Sequence, residues 1–288
     1  MTCHDERMSS VARRLSIRRF MLGNPVMRTV LSLWAWLVLG IVIIVWLPLV
    51  AIVWAVTAPF DQGRYAAGYL FRKLTVVHQT LNPLWHFHTS GVTITDPRRP
   101  YIVVSNHQSF VDILLISHLP WEMKWLSKAD FFKYPLIGWM MRMAGDVSLV
   151  RGERDSAKQA MDACRDRLSK RVSVMIFPEG TRSRTGELQP FKNGAFRLAI
   201  ETGTPILPLV VNGAYTALVK GDWRFGVSNA EVRVLAPIET AGMEAKDFGA
   251  LRDRVHALIG AELAAMRAAG AGEVPAGLPS CDGPAEHP

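Results

Sequence analysis

The chain has 288 residues, of which 49% are hydrophobic, and it carries a formal net charge of +8. A basic balance favours an anionic partner, such as anionic lipid or a phosphate-bearing substrate. The sequence lacks zinc-finger spacing, an aromatic-glycine RNA signature and a helix-turn-helix pattern, so no nucleic-acid partner is predicted. Its three cysteines, Cys3, Cys164 and Cys281, are too far apart in the sequence to indicate a disulfide framework or a metal site.

The first part of the chain predicts a basic arm followed by a membrane segment. Residues 1–28 carry six arginines against two acidic residues, and residues 29–60 contain no charge at all. The apolar segment is too long for a signal peptide and lacks its small-residue cleavage site, so we expect it to lie in a membrane.

The arrangement of this segment in the membrane has two alternatives. As one helix, residues 29–60 would measure about 48 Å, against a hydrocarbon core of roughly 30 Å. Pro48 interrupts the segment, which fits either a kinked, tilted span or a helical hairpin within one leaflet. Basic residues flank the segment on both sides, which favours placing both of its ends in the cytoplasm.

Two further features belong to this membrane-proximal region, which we predict to extend over residues 29–83. The tryptophans of the apolar segment are candidates for anchors at the membrane interface, although indole rings also pack inside proteins; they are Trp34, Trp36, Trp46 and Trp54. Residues 62–83 have an amphipathic helical pattern. We expect this linker helix to lie against the membrane or the following domain.

From residue 84 the pattern changes to short apolar runs that alternate with helical stretches. Such alternation predicts an α/β domain over residues 84–267, with a largely parallel sheet flanked by helices. The predicted strands cover residues 85–88, 92–95, 101–104, 122–126, 147–150, 172–177 and 206–211, with an edge strand at 231–235. The predicted helices end near His118, Ala144, Lys170, Thr202 and Arg267. Residues 268–288 are rich in Ala, Gly and Pro, which predicts a disordered tail.

A polar stretch between two apolar runs contains the first candidate site. His107 and Asp112 are five residues apart, so on one continuous helix they would lie about 140° apart and could not meet. The pattern Ser109-x-x-Asp112 is a helix-start signal, which would put His107 in a loop and Asp112 in the first helical turn. An Asp carboxylate on one imidazole nitrogen leaves the other nitrogen available as a base. The alternative is a loop histidine and a capping aspartate without chemistry.

A second motif, Phe177-Pro178-Glu179-Gly180-Thr181-Arg182, follows another buried strand. Together with Asn106-His107-x4-Asp112, it resembles the glycerolipid acyltransferase family, and most nearly its 1-acylglycerol-3-phosphate acyltransferases. Residues 128–151 and 204–210 fit two further blocks of that family loosely. Val150 departs from the second block, because an Asp often precedes the arginine that corresponds to Arg151.

The resemblance implies a membrane-bound acyltransferase of phospholipid biosynthesis on the cytoplasmic face of the cell membrane. Such an enzyme would transfer a fatty acyl group from acyl-CoA or from acyl carrier protein to the sn-2 hydroxyl of lysophosphatidic acid, giving phosphatidic acid. No cofactor or metal is expected. His107 would be the base and Asp112 would orient it, while the acceptor attacks the thioester directly. Ser105 and Ser109 lie close by in sequence and leave a covalent acyl-enzyme open.

Substrate binding is assigned to residues of the second motif and to Lys128. Arg182 is the first candidate for the acceptor phosphate, because a guanidinium binds such a group bidentately. Lys128 is a second phosphate candidate by resemblance, and otherwise a solvated lysine. Glu179 either pairs with a cation and shapes the turn with Gly180 and Thr181, or it contacts the glycerol hydroxyl.

The oxyanion of the reaction needs preorganised donors, for which the backbone N–H groups at the start of the His107 helix and Lys128 are candidates.

Two alternatives to the leading interpretation remain. The acceptor is another lysolipid, such as a lyso-ornithine lipid, or the chain is a catalytically dead, membrane-tethered lipid-binding protein.

Overall fold

A computed structural model describes residues 24–219 and 221–270. The predicted basic arm, apart from its last residues, and nearly all of the predicted tail lie outside the described residues. The α-helices of the described part are α1 (Pro25–Thr57), α2 (Tyr65–Thr80), α3 (Val111–Ile116), α4 (Ile137–Ala144), α5 (Arg154–Ser169), α6 (Gly194–Thr202) and α7 (Phe248–Gly270). The strands are β1 (Trp85–Gly91), β2 (Ile102–Ser105), β3 (Met123–Lys128), β4 (Val147–Leu149), β5 (Ser173–Ile176), β6 (Ile206–Asn212) and β7 (Ser228–Val234).

The strands form one sheet in the order β1-β7-β6-β2-β5-β3-β4, and every pairing is parallel except that of β6 with β7. The central strands β2 and β5 are buried along their whole length, as expected where helices cover both faces of a parallel sheet. One apolar core lies between the sheet and α5, α6 and α7, and a second lies on the opposite face with α3. The prediction of a largely parallel α/β sheet flanked by helices is confirmed.

Two strand predictions were wrong. Residues 92–95 are not a strand, because β1 ends at Gly91. The strand predicted at 231–235 overlaps the end of β7 (Ser228–Val234), which is not an edge strand, since β1 pairs with it in parallel from Trp85↔Ser228 to Gly91↔Val234. The alternating burial along β7 reflects one exposed face of the sheet and not an unpaired edge.

Pro208 does not interrupt β6. The antiparallel pairing of β6 with β7 covers only Leu209 to Asn212, so the missing N–H of Pro208 falls outside that ladder. Its carbonyl oxygen accepts from Leu235 N at 3.0 Å. A proline is therefore accommodated in the interior of the sheet at the point where the second ladder ends.

The apolar N-terminal segment forms one continuous helix of 33 residues that runs through Pro48. It is long and apolar enough to cross a membrane by length and composition. Helix α1 packs against α2 and α4 through residues such as Val38, Val42 and Val50, while its other side exposes Leu37, Ile41, Ile44, Ile52 and Val56 among others.

Three of the four tryptophans of α1 donate their indole N–H to carbonyl oxygens within the protein. Trp34 donates to Leu81 at 3.2 Å, Trp36 to Trp223 at 3.0 Å and Trp46 to Leu70 at 2.7 Å. These contacts tie α1 to α2 and to the loop before β7. The indoles therefore attach the helix to the folded domain.

A buried ionic cluster joins α2 to the sheet. Arg72 on α2 forms an ion pair with Asp146 and lies 3.7 Å from Glu122, while Lys124 contacts Glu122 at 2.9 Å. Asp146 also accepts from Trp125 N at 3.0 Å. This cluster fixes the position of α2 against β3.

Candidate active site

The two sequence motifs meet because their strands are neighbours. The first motif follows β2 and the second follows β5, and β2 and β5 pair in parallel. The carboxyl ends of parallel strands lie at the same edge of a sheet, which is where α/β proteins bind ligands. Residues from two distant parts of the chain are thereby brought to one place.

His107 and Asp112 form a hydrogen-bonded pair in this place. The Nδ1 atom of His107 lies 2.8 Å from Oδ2 of Asp112, whose residue is fully buried. His107 lies in the loop before α3 and Asp112 in the first turn of that helix. A carboxylate can only accept here, so Nδ1 carries the proton and Nε2 keeps its lone pair. The Nε2 atom has no hydrogen bond to any residue that the structure describes.

Asp112 also organises the loop backbone. Its Oδ2 atom accepts from the N–H groups of Gln108 at 2.6 Å and Ser109 at 2.9 Å. The Ser109 contact lies before the helix, because the N-cap of α3 is Phe110, and the hydroxyl of Ser109 lies 3.4 Å from Val111 N, at the limit of a hydrogen bond. Both N–H groups are used within the protein, so these two donors at the helix start are not available to an oxyanion.

The second motif holds the backbone of His107 from both sides. The Oε1 atom of Glu179 accepts from His107 N at 2.8 Å, and Ser183 N donates to His107 O at 2.8 Å. Glu179 forms no ion pair with any described residue, so the pairing with a cation expected from the sequence is not found. Its observed contact positions His107. A contact of Glu179 with substrate stays a prediction.

The carboxyl group of Glu179 has an unusual environment. The residue is 5% exposed, and its Oε2 atom has no hydrogen-bond partner among the described residues. Burial raises the pKa of Glu179 to about 7, and the nearby carboxylate of Asp112 acts in the same direction. The site therefore holds a carboxyl group that titrates near neutral pH.

The imidazole of His107 borders a small pocket of about 80 Å³. Its ring stacks on Phe177 with a centroid distance of 3.9 Å. Lys128 borders the same pocket and pairs with Asp130 in the described structure. His107 and Lys128 therefore border one pocket.

Arg182 borders a different cavity, of about 470 Å³, together with Gln108, Ser183, Arg184 and Tyr215 among others. The two phosphate candidates predicted from the sequence therefore face separate cavities on either side of the His107–Gln108 segment. The turn that precedes Arg182 is made by Gly180, whose φ of +74° favours glycine, and by the exposed Thr181. Arg182 forms no ion pair within the described residues, so its guanidinium is available for a ligand.

Neither serine near His107 contacts its imidazole. Ser105 Oγ lies 3.4 Å from Asn106 Oδ1, and Ser109 Oγ donates to Leu218 O at 3.3 Å. A serine nucleophile needs a base within hydrogen-bond reach. The observed geometry therefore favours direct attack by the acceptor over a covalent acyl-enzyme.

Sequence reasoning missed Phe177 and Ser183 as parts of the site. The ring of Phe177 stacks on His107, but an aromatic residue at the end of an apolar strand does not by itself predict such a contact. Ser183 acts through its backbone N–H, which carries no sequence signal. Within residues 24–219 and 221–270, no group of three or more His, Cys, Asp or Glu residues is arranged to hold a metal ion.

Comparisons with known proteins agree on one family. The acyltransferase family model matches residues 86–212. A 1-acyl-sn-glycerol-3-phosphate acyltransferase alpha from Ovis aries is 33% identical over 196 residues, which is 67% of this chain and 68% of that protein. A chloroplastic 1-acyl-sn-glycerol-3-phosphate acyltransferase from Brassica napus is 35% identical, over 61% of this chain but only 51% of the plant protein.

A solved structure is also similar. The crystal structure of the 1-acyl-sn-glycerophosphate acyltransferase PlsC from Thermotoga maritima superimposes with a TM-score of 0.70 at 25% sequence identity. The match covers 84% of this chain and 97% of that one. The likeness therefore extends beyond the residues of the family model.

Proposed function

Because the chain belongs to the acyltransferase family, we propose that it transfers a fatty acyl group from an acyl thioester to the sn-2 hydroxyl of 1-acyl-sn-glycerol 3-phosphate, giving phosphatidic acid. The observation that supports this most directly is the hydrogen-bonded His107–Asp112 pair beside a pocket that His107 borders. The relatives named above carry this activity in their names.

The reaction follows from the geometry of the pair. Nε2 of His107 takes the proton of the acceptor hydroxyl while its oxygen attacks the thioester carbonyl. The tetrahedral intermediate collapses, the C–S bond breaks, and the thiolate takes the proton from the imidazolium. Asp112 keeps the imidazole in the required tautomer and stabilises the cation that forms. Glu179 and Ser183 hold the His107 backbone so that the base does not shift during the reaction.

The acceptor phosphate is assigned to Arg182. The guanidinium lies two residues after Gly180 and next to Ser183, whose N–H is bonded to His107 O. Arg182 is the residue before Ser183 and borders the cavity that Gln108, the neighbour of His107, also borders, which supports its role in binding the acceptor phosphate. Lys128 stays a second candidate, from the pocket that His107 borders.

Membrane attachment through α1 is proposed to bring the site to its lipid acceptor. The helix is bound to the folded domain along its length, from Arg28 paired with Asp222 at 3.1 Å to Trp54, whose ring lies 5.3 Å from the Arg64 guanidinium carbon. A helix bound in this way, with an apolar outer side, fits burial in one leaflet with the domain on the cytoplasmic face.

The first test is the variant His107→Ala. Removal of the base should reduce the rate of acyl transfer by about 10² to 10⁴ with the fold intact. Purified protein would be assayed with acyl-CoA and acyl carrier protein donors against a panel of lysolipids. Near-normal turnover of His107→Ala would contradict the mechanism. A preference for a lysolipid without a phosphomonoester would favour the other acceptors, and no transfer to any acceptor would favour a binding protein.

The second test concerns the acceptor and uses Arg182→Lys and Arg182→Ala. Lysine offers a point charge in place of a planar fork, so Arg182→Lys should lower kcat/KM for lysophosphatidic acid by roughly tenfold or more. Hydrolysis of the thioester without acceptor should change little. Exposed Arg197→Lys on α6 provides a matched control. Unchanged kinetics in both Arg182 variants would remove the phosphate role.

A further inference from the structure

The connection between β5 and α6 carries Glu179 but has no helix or strand of its own over residues 177–193. A connection of this length has no hydrogen-bonded ladder, so contacts with other elements must fix its shape. It folds back on itself, because Lys192 N donates to Pro178 O at 2.8 Å. We call residues 178–192 the Glu179 loop.

Three side chains of α7 bond to the Glu179 loop or to the residue that follows it. The contacts are Arg252 to Oδ1 of Asn193 at 2.7 Å, His256 Nε2 to Gln189 O at 3.2 Å and Arg267 to Gly186 O at 2.6 Å. At about 100° per residue, the three α7 positions lie within about 60° of one another around the helix axis. They form one polar stripe, and it lies outside residues 86–212, which the acyltransferase family model matches.

The bond of His256 matters because the loop and α7 do not pack closely around it. A cavity of about 360 Å³ is lined by residues of both, namely Leu188, Pro190, Phe191, Arg252, Asp253 and His256. The ring of His256 meets that of Phe191 edge-on, with centroids 4.7 Å apart. A carbonyl oxygen can only accept, so Nε2 of His256 donates to Gln189. Loss of this bond would free the loop to move into the cavity.

The loop that α7 holds leads to the base of the reaction. Burial raises the pKa of Glu179 to about 7, and contacts with His107 and with Gln189 act in the opposite direction. Gln189 therefore lies against the Glu179 carboxyl group. Glu179 in turn accepts from His107 N at 2.8 Å. A continuous series of contacts thus runs from His256 through Gln189 and Glu179 to His107.

We propose that His256 is a positioning residue for acyl transfer, because its bond to Gln189 holds the Glu179 loop and, through Glu179, the backbone of His107. The proposal rests on the proposed function, since the base and its reaction are those assigned above. His256 acts on the reaction through these contacts and takes no part in proton transfer. Its removal should therefore lower kcat.

The test uses two substitutions of His256. His256→Phe keeps a ring beside Phe191 but removes the donor, and it should lower kcat for transfer to lysophosphatidic acid roughly tenfold. His256→Gln keeps an N–H donor, so its kcat should stay within about threefold of wild type. The matched control is His88→Phe, at an exposed histidine on the edge strand β1, and it should leave kcat unchanged.

Stability is measured beside activity to separate positioning from folding. Val255→Ala removes two methyl groups from the buried side of α7, so it should lower Tm at least as far as His256→Phe does. It leaves the bond of His256 to Gln189 in place, so its kcat should remain close to that of wild type. An equal loss of kcat in Val255→Ala and His256→Phe would mean that α7 acts through stability alone, and would overturn the proposal.

A double-mutant cycle tests whether the effect passes through Glu179. Glu179→Ala already breaks the link to His107, so adding His256→Phe should lower kcat by less than about twofold more. Independent roles would multiply, and a further loss of roughly tenfold would overturn this link. If His256→Phe does not fold, Arg267→Met frees the same loop at Gly186 and takes its place in both measurements, with exposed Arg254→Met as its control.

These outcomes are separate from failure of the proposed function. If wild-type protein transfers acyl groups and His107→Ala does not, the function stands whatever the His256 variants show. Unchanged kcat in folded His256→Phe would remove the positioning role and leave the assignment of the base intact.

Discussion

At the scale of single residues, the pairing of His107 with Asp112 follows from the sequence, while the contacts of Glu179 do not. The five-residue spacing and a helix-start signal are local features, so their geometry can be worked out from neighbouring residues. Glu179 binds the backbone N–H of His107 across 72 positions of sequence. Such a contact depends on which strands are neighbours, and a backbone donor has no residue identity to recognise.

The observed contact of Glu179 leads to a prediction about activity. Glu179→Gln keeps an oxygen that can accept from His107 N, whereas Glu179→Ala leaves that buried N–H without a partner, at a cost of about 1–3 kcal/mol. We expect the Gln variant to retain most of its kcat and the Ala variant to lose roughly tenfold or more. Steady-state kinetics with a fixed lysolipid would measure both. Equal loss in the two variants would argue for a charge on Glu179 acting on substrate.

The same carboxyl group should make folding stability depend on pH. Its pKa is raised by burial from an ordinary 4.5 to about 7, so between these values the folded protein binds a proton that the unfolded chain does not. Stability that depends on this group is therefore present at low pH and is lost as the pH rises to about 7.

Glu179→Gln replaces the titrating carboxyl group with a neutral amide. The Tm of the variant should therefore exceed that of wild type by more at pH 8 than at pH 5. Thermal unfolding in detergent at the two pH values would measure this difference. The exposed Glu187→Gln serves as the control and should show a much smaller change between them. A pH-independent Tm difference for Glu179→Gln would contradict a raised pKa.

At the scale of elements, the apolar runs predicted most strands and helices, but not how strands lie beside one another. Alternating exposure in β7 resembles that of an edge strand, yet β1 covers its outer side through a pairing of residues more than a hundred positions apart. Period and propensity report which face of a strand is buried. They carry no information about the partner that supplies the hydrogen bonds.

The buried ionic cluster between α2 and β3 was also not predicted, and it has a measurable role. Arg72→Ala would leave Asp146 and Glu122 buried without their shared cation, which should lower the free energy of unfolding by about 3–5 kcal/mol. The neighbouring Lys73→Ala, which loses a partly exposed cation on the same helix, should cost about 0.5 kcal/mol or less. Denaturant unfolding in detergent would compare the two. A similar cost for both would show that the cluster contributes little.

At the scale of the whole molecule, composition predicted a membrane-proximal apolar segment but could not choose between a span and a hairpin. The structure shows one helix through Pro48, bound to the domain at its start, middle and end. Those contacts come from residues that are distant in sequence, including Asp222 and Trp223. A hydropathy value averages over a window of residues, so it does not show which side of a helix packs against the rest of the protein.

The binding of α1 along the domain leads to a prediction about topology. If the helix lies in one leaflet, both of its ends are on the cytoplasmic side. Single cysteines would be introduced as Ser10→Cys and Gln62→Cys in a chain whose native cysteines are replaced, with Lys158→Cys as a reference on the catalytic domain. A membrane-impermeant maleimide should label all three positions in inverted vesicles and none in right-side-out vesicles. Labelling of Ser10→Cys and Gln62→Cys from opposite sides would mean that α1 crosses the bilayer, and the domain contacts of α1 would then have to break in the membrane.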